Sequence, residues 1–377
     1  MTKKTIHYVR RSADDAKRSL LKAARSGGVS LVLGAGVSLA RGLPSWTSLI
    51  RSIWEGLTPP HQVPDWLNSN MLPPHPLALQ IVMEEIEGAL RWELAKQKGL
   101  LPDKVDPADV RDLLVQRIAD RLYAENFPHN VGDTLGCIVE LLRRQQKNDQ
   151  RSVQQVITFN ADDLLERGAN RDVDAGKEPI LFPVPRGSFH PRHSGGAFGK
   201  SPITVYHLHG FIPRSPLYKR SAQDTLVFTD AQYWASTANP SSFANRVMGM
   251  ALQETHCIFI GLSMTDVNLM RWLGLRHLEF LDDRRSYYEY HGVTGAAADQ
   301  KARRAINRHH WICCEGDDPT RLIASHLERR GVTTVRIPSW GEPFDRLLAE
   351  CFPDPVPSLI RRRSPKAATR WQRLKFT

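Results

Sequence analysis

The chain has 377 residues, of which 41% are hydrophobic and 24% are charged, and its formal net charge at pH 7 is +11. This composition is typical of soluble globular proteins and excludes a disordered chain, and no apolar run approaches the roughly 18 residues of a membrane helix. None of the five cysteines forms a CxxC pair, which argues against a zinc ribbon, so we expect a reduced, cytoplasmic protein that holds no zinc and enters no membrane.

The first elements of the chain are a helix, a strand and a second helix. Ser12 is a typical N-cap for a helix over 12–26, which the glycines that follow it end. Residues 29–33 form an apolar run that predicts the first strand. A second helix is predicted from Pro44-Ser45 to about residue 56.

Residues 57–149 differ from the rest, because prolines open the region and no strand pattern follows. Apolar residues recur at helical spacing over 77–98, 107–124 and 130–146. We predict a helical subdomain inserted between the first two strands. Such an insertion usually covers a ligand cleft or builds an oligomer interface, and we expect a homo-oligomer.

The remaining chain alternates strands with helices. Strands are predicted at 153–159, 203–208, 257–261, 310–314 and 332–337, with a hairpin or short strand at 225–228. Helices are predicted at 241–255, 266–280, 319–330 and 343–351. Residues 182–201 are rich in Gly, Pro and His and predict a mobile loop. We therefore predict an α/β fold, a Rossmann-like doubly wound parallel sheet, formed by residues 1–56 and 150–352.

The tail, residues 353–377, has the strongest charge bias. Its Arg361-Arg362-Arg363 run is followed by further basic residues interleaved with Trp371 and Phe376. Three interpretations remain open: a solvated tail, a dock for a partner subunit, and direct contact with nucleic acid.

Four of the predicted strands end in polar segments. These segments are Gly34–Ser38, Thr158–Asp162, His207–Gly210 and Gly261–Ser263. In open α/β sheets a ligand binds outside the carboxyl ends of the strands, so the four segments together predict one nucleotide site.

Each segment carries groups that suit a nucleotide. Gly34 and Gly36 let backbone N–H groups approach a diphosphate, although the spacing is neither G-x-G-x-x-G nor a P-loop and also fits a plain strand-to-helix turn. Asn160 can orient a water or a sugar hydroxyl, and Asp162 can bind a hydroxyl.

Simpler structural roles compete with these interpretations. Asn160 or Asp162 can instead cap the following helix, and we expect Asp266 to be the N-cap of a later one. His is the usual general base near neutral pH, a role that we assign to His209. Strand alternation places His207 on the same face as His209, but for His207 a buried, hydrogen-bonded role is favoured.

In these segments the chain resembles the sirtuin-like family, and specifically its bacterial zinc-less branch found in antiphage defence systems. Sirtuins carry a Gly-Ala-Gly-x-Ser turn followed by Gly-Ile-Pro-x-Phe-Arg, then Thr-Gln-Asn-Ile-Asp, His-Gly and Gly-x-Ser. The corresponding segments here are 34–38, 42–47, 158–162, 209–210 and 261–263. Trp46 replaces the phenylalanine that shields the reaction and Thr47 replaces the arginine, and the four-cysteine zinc module is absent.

The resemblance implies NAD+ as the substrate and gives each residue a role. Asn160 would orient the water or the ribose, His209 would be the base, and Asp162 would hold the nicotinamide ribose. The residues that would bind the rest of NAD+ or shield the reaction are Gly34, Ala35, Gly36, Ser38, Trp46, Gly261 and Ser263.

The activity implied by the resemblance is NAD+ hydrolysis by an effector of an antiviral NAD-depletion system. In related systems the partner is a HerA-type ATPase/translocase or a short Argonaute-type protein, and the length of this chain suits the HerA-type pairing. Two alternatives stay open: an NAD-dependent deacylase or ADP-ribosyltransferase, and an inactive nucleotide-sensing or nucleic-acid-binding scaffold. Loss of the zinc module and Thr47 argue against deacylation.

Overall fold

The computed structural model describes residues 12–57, 64–68, 78–123, 133–147, 151–173, 175–185, 202–214, 226–305, 309–315 and 318–353. Its centre is a seven-stranded sheet in the order β3-β4-β2-β1-β5-β6-β7, and all of its neighbouring pairs are parallel. The strands are β1 Val29–Leu33, β2 Val153–Thr158, β3 Leu181–Pro185, β4 Ile203–His207, β5 His256–Ile260, β6 His309–Cys314 and β7 Val332–Ile337. The predicted α/β, Rossmann-like parallel sheet is confirmed.

Helices cover both faces of the sheet. They are α1 Ala13–Ser26, α2 Gly36–Leu39, α3 Trp46–Glu55, α4 Asp65–Asn68, α5 Ala78–Lys98, α6 Pro107–Leu122, α7 Thr134–Lys147, α8 Leu164–Ala169, α9 Asp230–Ala238, α10 Phe243–Glu254, α11 Val267–Tyr290, α12 Ala296–Ala305, α13 Asp318–Glu328 and α14 Glu342–Cys351. Ser12 caps α1 as predicted, accepting a hydrogen bond from the backbone N of Asp15. None of the described helices is long and apolar enough to cross a membrane.

The order of the strands creates a crevice beside β1. The chain leaves β1 to form β2 on one side and later returns to form β5 on the other side. Connections from the ends of β1 and β5 therefore run in opposite directions, which is the switch point where open parallel sheets bind ligands. The polar segments after β1, β2 and β5 lie at this edge of the sheet.

The helices between β1 and β2 share the main core. Ile86 of α5, Leu114 of α6 and Ile138 of α7 are buried in the same apolar cluster as Leu31 of β1. The described residues of the region 57–149 contain no strand, as predicted. The division of the region 57–149 from the sheet domain as a separate subdomain stays a prediction. The tail after Pro353 lies outside the described residues.

Two sequence-based predictions about local structure were wrong, and two helices were missed. Residues 182–185 belong to strand β3, whereas a loop was predicted over 182–201, of which 186–201 lie outside the described residues. Pro183 and Pro185 disguise this strand, but β3 is an edge strand, where proline is tolerated. No strand forms over 226–228, and α9 and α12 were not predicted.

Candidate functional site

The turn after β1 is pressed against the turn after β5. The backbone N of Gly36 donates to the carbonyl O of Gly261 at 2.9 Å, and the N of Gly34 donates to Ile260 O at 3.0 Å. A Cβ on Gly36 would lie 2.8 Å from Gly261 Cα, and one on Gly34 would lie 2.5 Å from the side chain of Leu262. Because these contacts leave no room for a side chain, glycine is required at both positions.

Gly261 has a second reason to be glycine. Its φ is +67°, and a Cβ there would lie 2.6 Å from the backbone N of Val37. The next residues, Leu262 and Ser263, run along the crevice edge, where the exposed hydroxyl of Ser263 lies 2.7 Å from that of Thr265. Ser263 is therefore available to solvent and to a ligand.

Asn160 joins the turn after β1 to the end of β2. Its Nδ2 donates to the carbonyl O of Gly34 at 3.1 Å and to Ser38 Oγ at 3.3 Å. Ser38 in turn donates to Asp162 Oδ2 at 3.3 Å. Four of the predicted site residues, Gly34 included, are thus brought together in one hydrogen-bonded chain. Both bonds of the Asn160 side chain in this chain use its Nδ2, so its Oδ1 is the atom of the amide that can accept a further hydrogen bond.

Asp162 is buried at the base of this chain. Its Oδ1 accepts from the backbone N of Leu164 at 3.1 Å, so it contributes a local bond at the start of α8, while Ser38 occupies Oδ2. Burial raises the pKa of Asp162 to about 6, with further increases from Glu166 and Asp163. With both oxygens bonded to protein donors, Asp162 is placed to position Ser38.

His207, at the end of β4, belongs to a buried pair. Its Nδ1 lies 3.0 Å from the carbonyl O of Asn160, and its Nε2 lies 2.8 Å from Glu166 Oε1. Because a carbonyl only accepts, Nδ1 carries a hydrogen, and the contact with Glu166 requires a second proton on one of the two groups. The buried, hydrogen-bonded role predicted for His207 is confirmed, and the pair fixes the backbone of Asn160.

His209 lies in different surroundings from His207. Its ring is 5.0 Å from that of Phe159 in an edge-on contact and 6.4 Å from that of Tyr233 of α9. The prediction that both histidines share a strand face was wrong, because β4 ends at His207 and a turn begins at Leu208. His209 is half-buried, and it stands beside the residue that precedes Asn160.

Aromatic residues continue this side of the crevice. The backbone N of Val227 donates to His209 O at 3.1 Å, and the next residue, Phe228, packs its ring 4.7 Å from that of Trp46. Trp46 begins α3, which Ser45 caps. The predicted shielding residue Trp46 and the predicted base His209 are therefore connected through the short segment 226–228.

Two predicted residues have plain backbone roles. Ala35 is exposed and stands immediately before α2, with its carbonyl O accepting from the N of Ser38 at 3.0 Å. Asp266 caps α11 as predicted, since its Oδ1 accepts from Leu269 N at 2.7 Å. Among the described residues no group of three or more His, Cys, Asp or Glu side chains is arranged to hold a metal ion.

Sequence reasoning missed the buried charges that support the site. Arg41, just after α2, forms a bidentate pair with Asp133, at 2.7 Å for Nε and 3.2 Å for Nη2. Asp133 also accepts from the backbone N of Gly136 in α7, so the pair ties the turn after β1 to that helix.

A neutral side chain makes a similar link. The hydroxyl of Tyr123 donates to the carbonyl O of Ile212 and accepts from the backbone N of Asp163. Only the acid at position 133 carried a signal, as a capping residue before a helix.

The comparison with protein families agrees with this site. The model of the SIR2-like domain family matches residues 154–312, a range that contains three of the four polar strand ends, from Asn160 to Ser263. The match supports a sirtuin-like family, as the motif resemblance implied, and is compatible with NAD-related activity. No curated protein was found to match the chain.

Proposed function

We propose that the protein is an NAD+ hydrolase that cleaves the nicotinamide–ribose bond. The observation that carries this proposal is the hydrogen-bonded chain from Asn160 through Ser38 to Asp162 at the switch point of the sheet. It places an amide, a hydroxyl and a tight glycine turn at the edge where parallel sheets bind nucleotides.

The glycine turn suits the diphosphate of NAD+. The turn is held tightly against the turn after β5, because Gly34 and Gly36 donate their N–H groups to Ile260 and Gly261. Ala35 is the exposed residue of the turn and stands immediately before α2, so its backbone N–H is the group of the turn that we assign to a phosphate oxygen. The motif resemblance assigns Gly261 and Ser263, on the other side of the turn, to the adenosine half of NAD+.

Asn160 and His209 suit the reacting end of NAD+. When the bond between ribose C1′ and the nicotinamide nitrogen breaks, its electron pair leaves with nicotinamide and positive charge develops on the ribose. Asn160 Oδ1 can stabilise that charge or orient the attacking water. Water then adds to C1′ and gives up a proton, which His209 accepts. The products are nicotinamide, ADP-ribose and a proton.

The physiological setting of this reaction is proposed from the motif resemblance. The zinc-less sirtuin-like branch supports an effector role in antiviral defence, in which NAD+ is depleted on infection. The same resemblance supports activation through a homo-oligomer or a HerA-type or short Argonaute-type partner, and the positive charge of the chain suits contact with an acidic partner.

A product assay tests the activity. The purified chain is incubated with NAD+, alone and with a co-encoded partner where there is one, and nicotinamide and ADP-ribose are quantified with and without an acetyl-lysine peptide. We expect equal amounts of both products and no dependence on the peptide. Formation of O-acyl-ADP-ribose or of an ADP-ribosylated protein would move the assignment to deacylation or transfer. Binding of NAD+ without any product would indicate a sensor.

A further inference from the structure

An arginine stands near the carboxyl end of the last strand, on the same edge of the sheet as the crevice. Arg336 of β7 pairs in register with Cys313 of β6. Ile312 of β6 pairs with Ile260 of β5, so continuing this register places Cys313 opposite Gly261. Because neighbouring strands lie about 4.8 Å apart, the Cα atoms of Gly261 and Arg336 are separated by roughly 10 Å. A nucleotide bound against Gly261 and the long side chain of arginine can together span that distance.

The segment after β5 leans over this part of the sheet. Trp311 Nε1 donates to the carbonyl O of Leu262 at 3.1 Å. Trp311 and Cys313 alternate onto the same face of β6, and Arg336, in register with Cys313, lies on that face too. Burial raises the pKa of the Cys313 thiol to about 11, and the positive charge of Arg336 opposes that increase. Arg336 and the segment after β5 therefore share one face of the sheet.

The charge of Arg336 is not neutralised within the part of the protein that the structure describes. None of the ion pairs or hydrogen bonds there involves Arg336, and its Nη2 is buried without a hydrogen-bond partner. Glu315, which follows β6, is exposed and makes no ion pair with it. The hydroxyl of Thr334, two residues earlier on the same face, is also buried and unpaired. A buried donor that lacks a partner costs free energy, and an anion that accepts from it removes that cost.

We infer that Arg336 holds a phosphate on the adenosine ribose, so that NADP+ is bound in preference to NAD+. This inference rests on the dinucleotide site of the proposed function, in which Gly261 and Ser263 contact the adenosine half. In α/β folds that bind dinucleotides, an acid commonly bonds the ribose 2′-hydroxyl of NAD+, whereas an arginine accommodates the 2′-phosphate of NADP+. The guanidinium suits this group because its parallel N–H donors match phosphate oxygens. Cleavage of NADP+ by water gives nicotinamide, 2′-phospho-ADP-ribose and a proton.

Fluorescence titration of the full chain with NADPH and NADH tests this inference, because dihydronicotinamide is a poor leaving group and both probes stay intact. The test variants are Arg336→Gln, which removes the charge, and Arg336→Lys, which keeps the charge but loses the planar fork. Arg329→Gln is the matched control, because Arg329 is exposed, bonds Ser325 and lies before β7, at the opposite end of that strand from Arg336. Denaturant titration checks that each variant is folded.

We expect the wild type and Arg329→Gln to bind NADPH at least tenfold more tightly than NADH, because a hydrogen bond between charged groups is lost with NADH. Arg336→Gln should bind the two probes alike, with its affinity for NADH unchanged, and Arg336→Lys should keep part of the preference. A merely structural role of Arg336 would weaken the binding of both probes equally and lower the free energy of unfolding. Equal binding of NADPH and NADH by the wild type would overturn the inference, as would an unchanged preference in Arg336→Gln.

Nicotinamide release from NAD+ and NADP+ separates this inference from the proposed function. A wild-type chain that cleaves NAD+ but shows no preference for the phosphorylated probe contradicts the role of Arg336 and leaves the hydrolase standing. A chain that prefers NADPH through Arg336 but releases no nicotinamide supports the role of Arg336 and overturns the hydrolase. Absence of binding to either probe, without nicotinamide release, overturns both.

Discussion

The two sides of the crevice are held by different forces. The glycine side, formed by Gly34, Ser38, Asn160 and Asp162, is a chain of hydrogen bonds fixed from below by the buried pair of Glu166 and His207. The histidine side, formed by Trp46, Phe159, His209, Phe228 and Tyr233, is held by ring contacts. Buried hydrogen-bond chains tolerate little change, whereas a half-buried ring can be exchanged with less damage to the fold. The difference separates residues whose hydrogen bonds hold the site together, Asn160 among them, from His209, whose loss should affect turnover alone.

The largest loss of stability is expected on the glycine side, from Glu166→Ala. The substitution leaves His207 buried without its carboxyl partner, and breaking a buried pair costs about 3–5 kcal/mol of the free energy of unfolding. Denaturant titration measures it. Glu279→Ala, at an exposed ion pair, is the control and should change the free energy by less than about 1 kcal/mol. A small effect of Glu166→Ala would show that the buried pair of Glu166 and His207 does not hold the glycine side of the crevice.

Asn160→Ala is expected to reduce activity while the protein remains folded. It removes the amide that links Gly34 and Ser38, and loss of one positioned polar group typically slows an enzyme by about 10²–10³-fold, or roughly 3–4 kcal/mol. Nicotinamide release under saturating NAD+ measures the effect. Gln97→Ala, which removes an exposed amide bonded only to Glu93 among the described residues, should leave activity unchanged. Full activity of Asn160→Ala would exclude this amide from the reaction.

The buried carboxyl of Asp162 should make the free energy of unfolding fall as the pH rises. Its pKa is about 6 in the folded chain, mainly because of burial, and about 3.9 when unfolded, so the folded state favours the protonated form. As pH rises from about 4 to 6, the unfolded chain ionises first and this contribution to stability is lost, by about 2–3 kcal/mol. Stability curves of the wild type and Asp162→Asn from pH 4 to 7 measure it. The two curves should diverge between pH 4 and 6. Parallel curves would contradict a raised pKa of Asp162 in the folded chain.

The smallest of these effects is expected from Gly36→Ala. Its Cβ would press on the backbone of Gly261, and overpacking of this kind costs about 1–3 kcal/mol. Binding of NAD+ should weaken as well, because the two turns would separate. Gly88→Ala is the matched control, since Gly88 lies in α5 with nothing within 4 Å of its added Cβ, and it should be neutral or stabilising. Equal thermal stability and NAD+ affinity of the two variants would argue against the close contact.

Much of the fold was predictable because its signals are local. Apolar runs correctly predicted β1, β6 and β7, and residue type correctly predicted Ser12 and Asp266 as N-caps. Strand β3 was not predicted, because proline normally argues against a strand and only its position at the sheet edge permits it. The length of α11, which continues to Tyr290, was also missed, since its second half packs on α12 and lacks a clear apolar stripe.

The site was only partly predictable, because its support depends on contacts between distant residues. Asn160, Ser38 and Asp162 followed from their position after strands, and the structure brings them together. Glu166 gave no signal, since an acid on a short helix is usually solvated, and only the fold places it against His207. The Arg41–Asp133 pair spans 92 positions and was equally hidden from sequence reasoning.

The most direct test of the account is a comparison of NAD+ binding with NAD+ cleavage in His209→Ala. His209 lies on the ring-packed side, outside the hydrogen-bonded chain of the glycine side, and a general base is typically worth about 10²–10⁴-fold in rate. We predict that nicotinamide release falls by that factor while the dissociation constant for NAD+ changes less than about threefold. Unchanged nicotinamide release by a folded His209→Ala variant would contradict the assignment of the base and, with it, the division of roles between the two sides of the crevice.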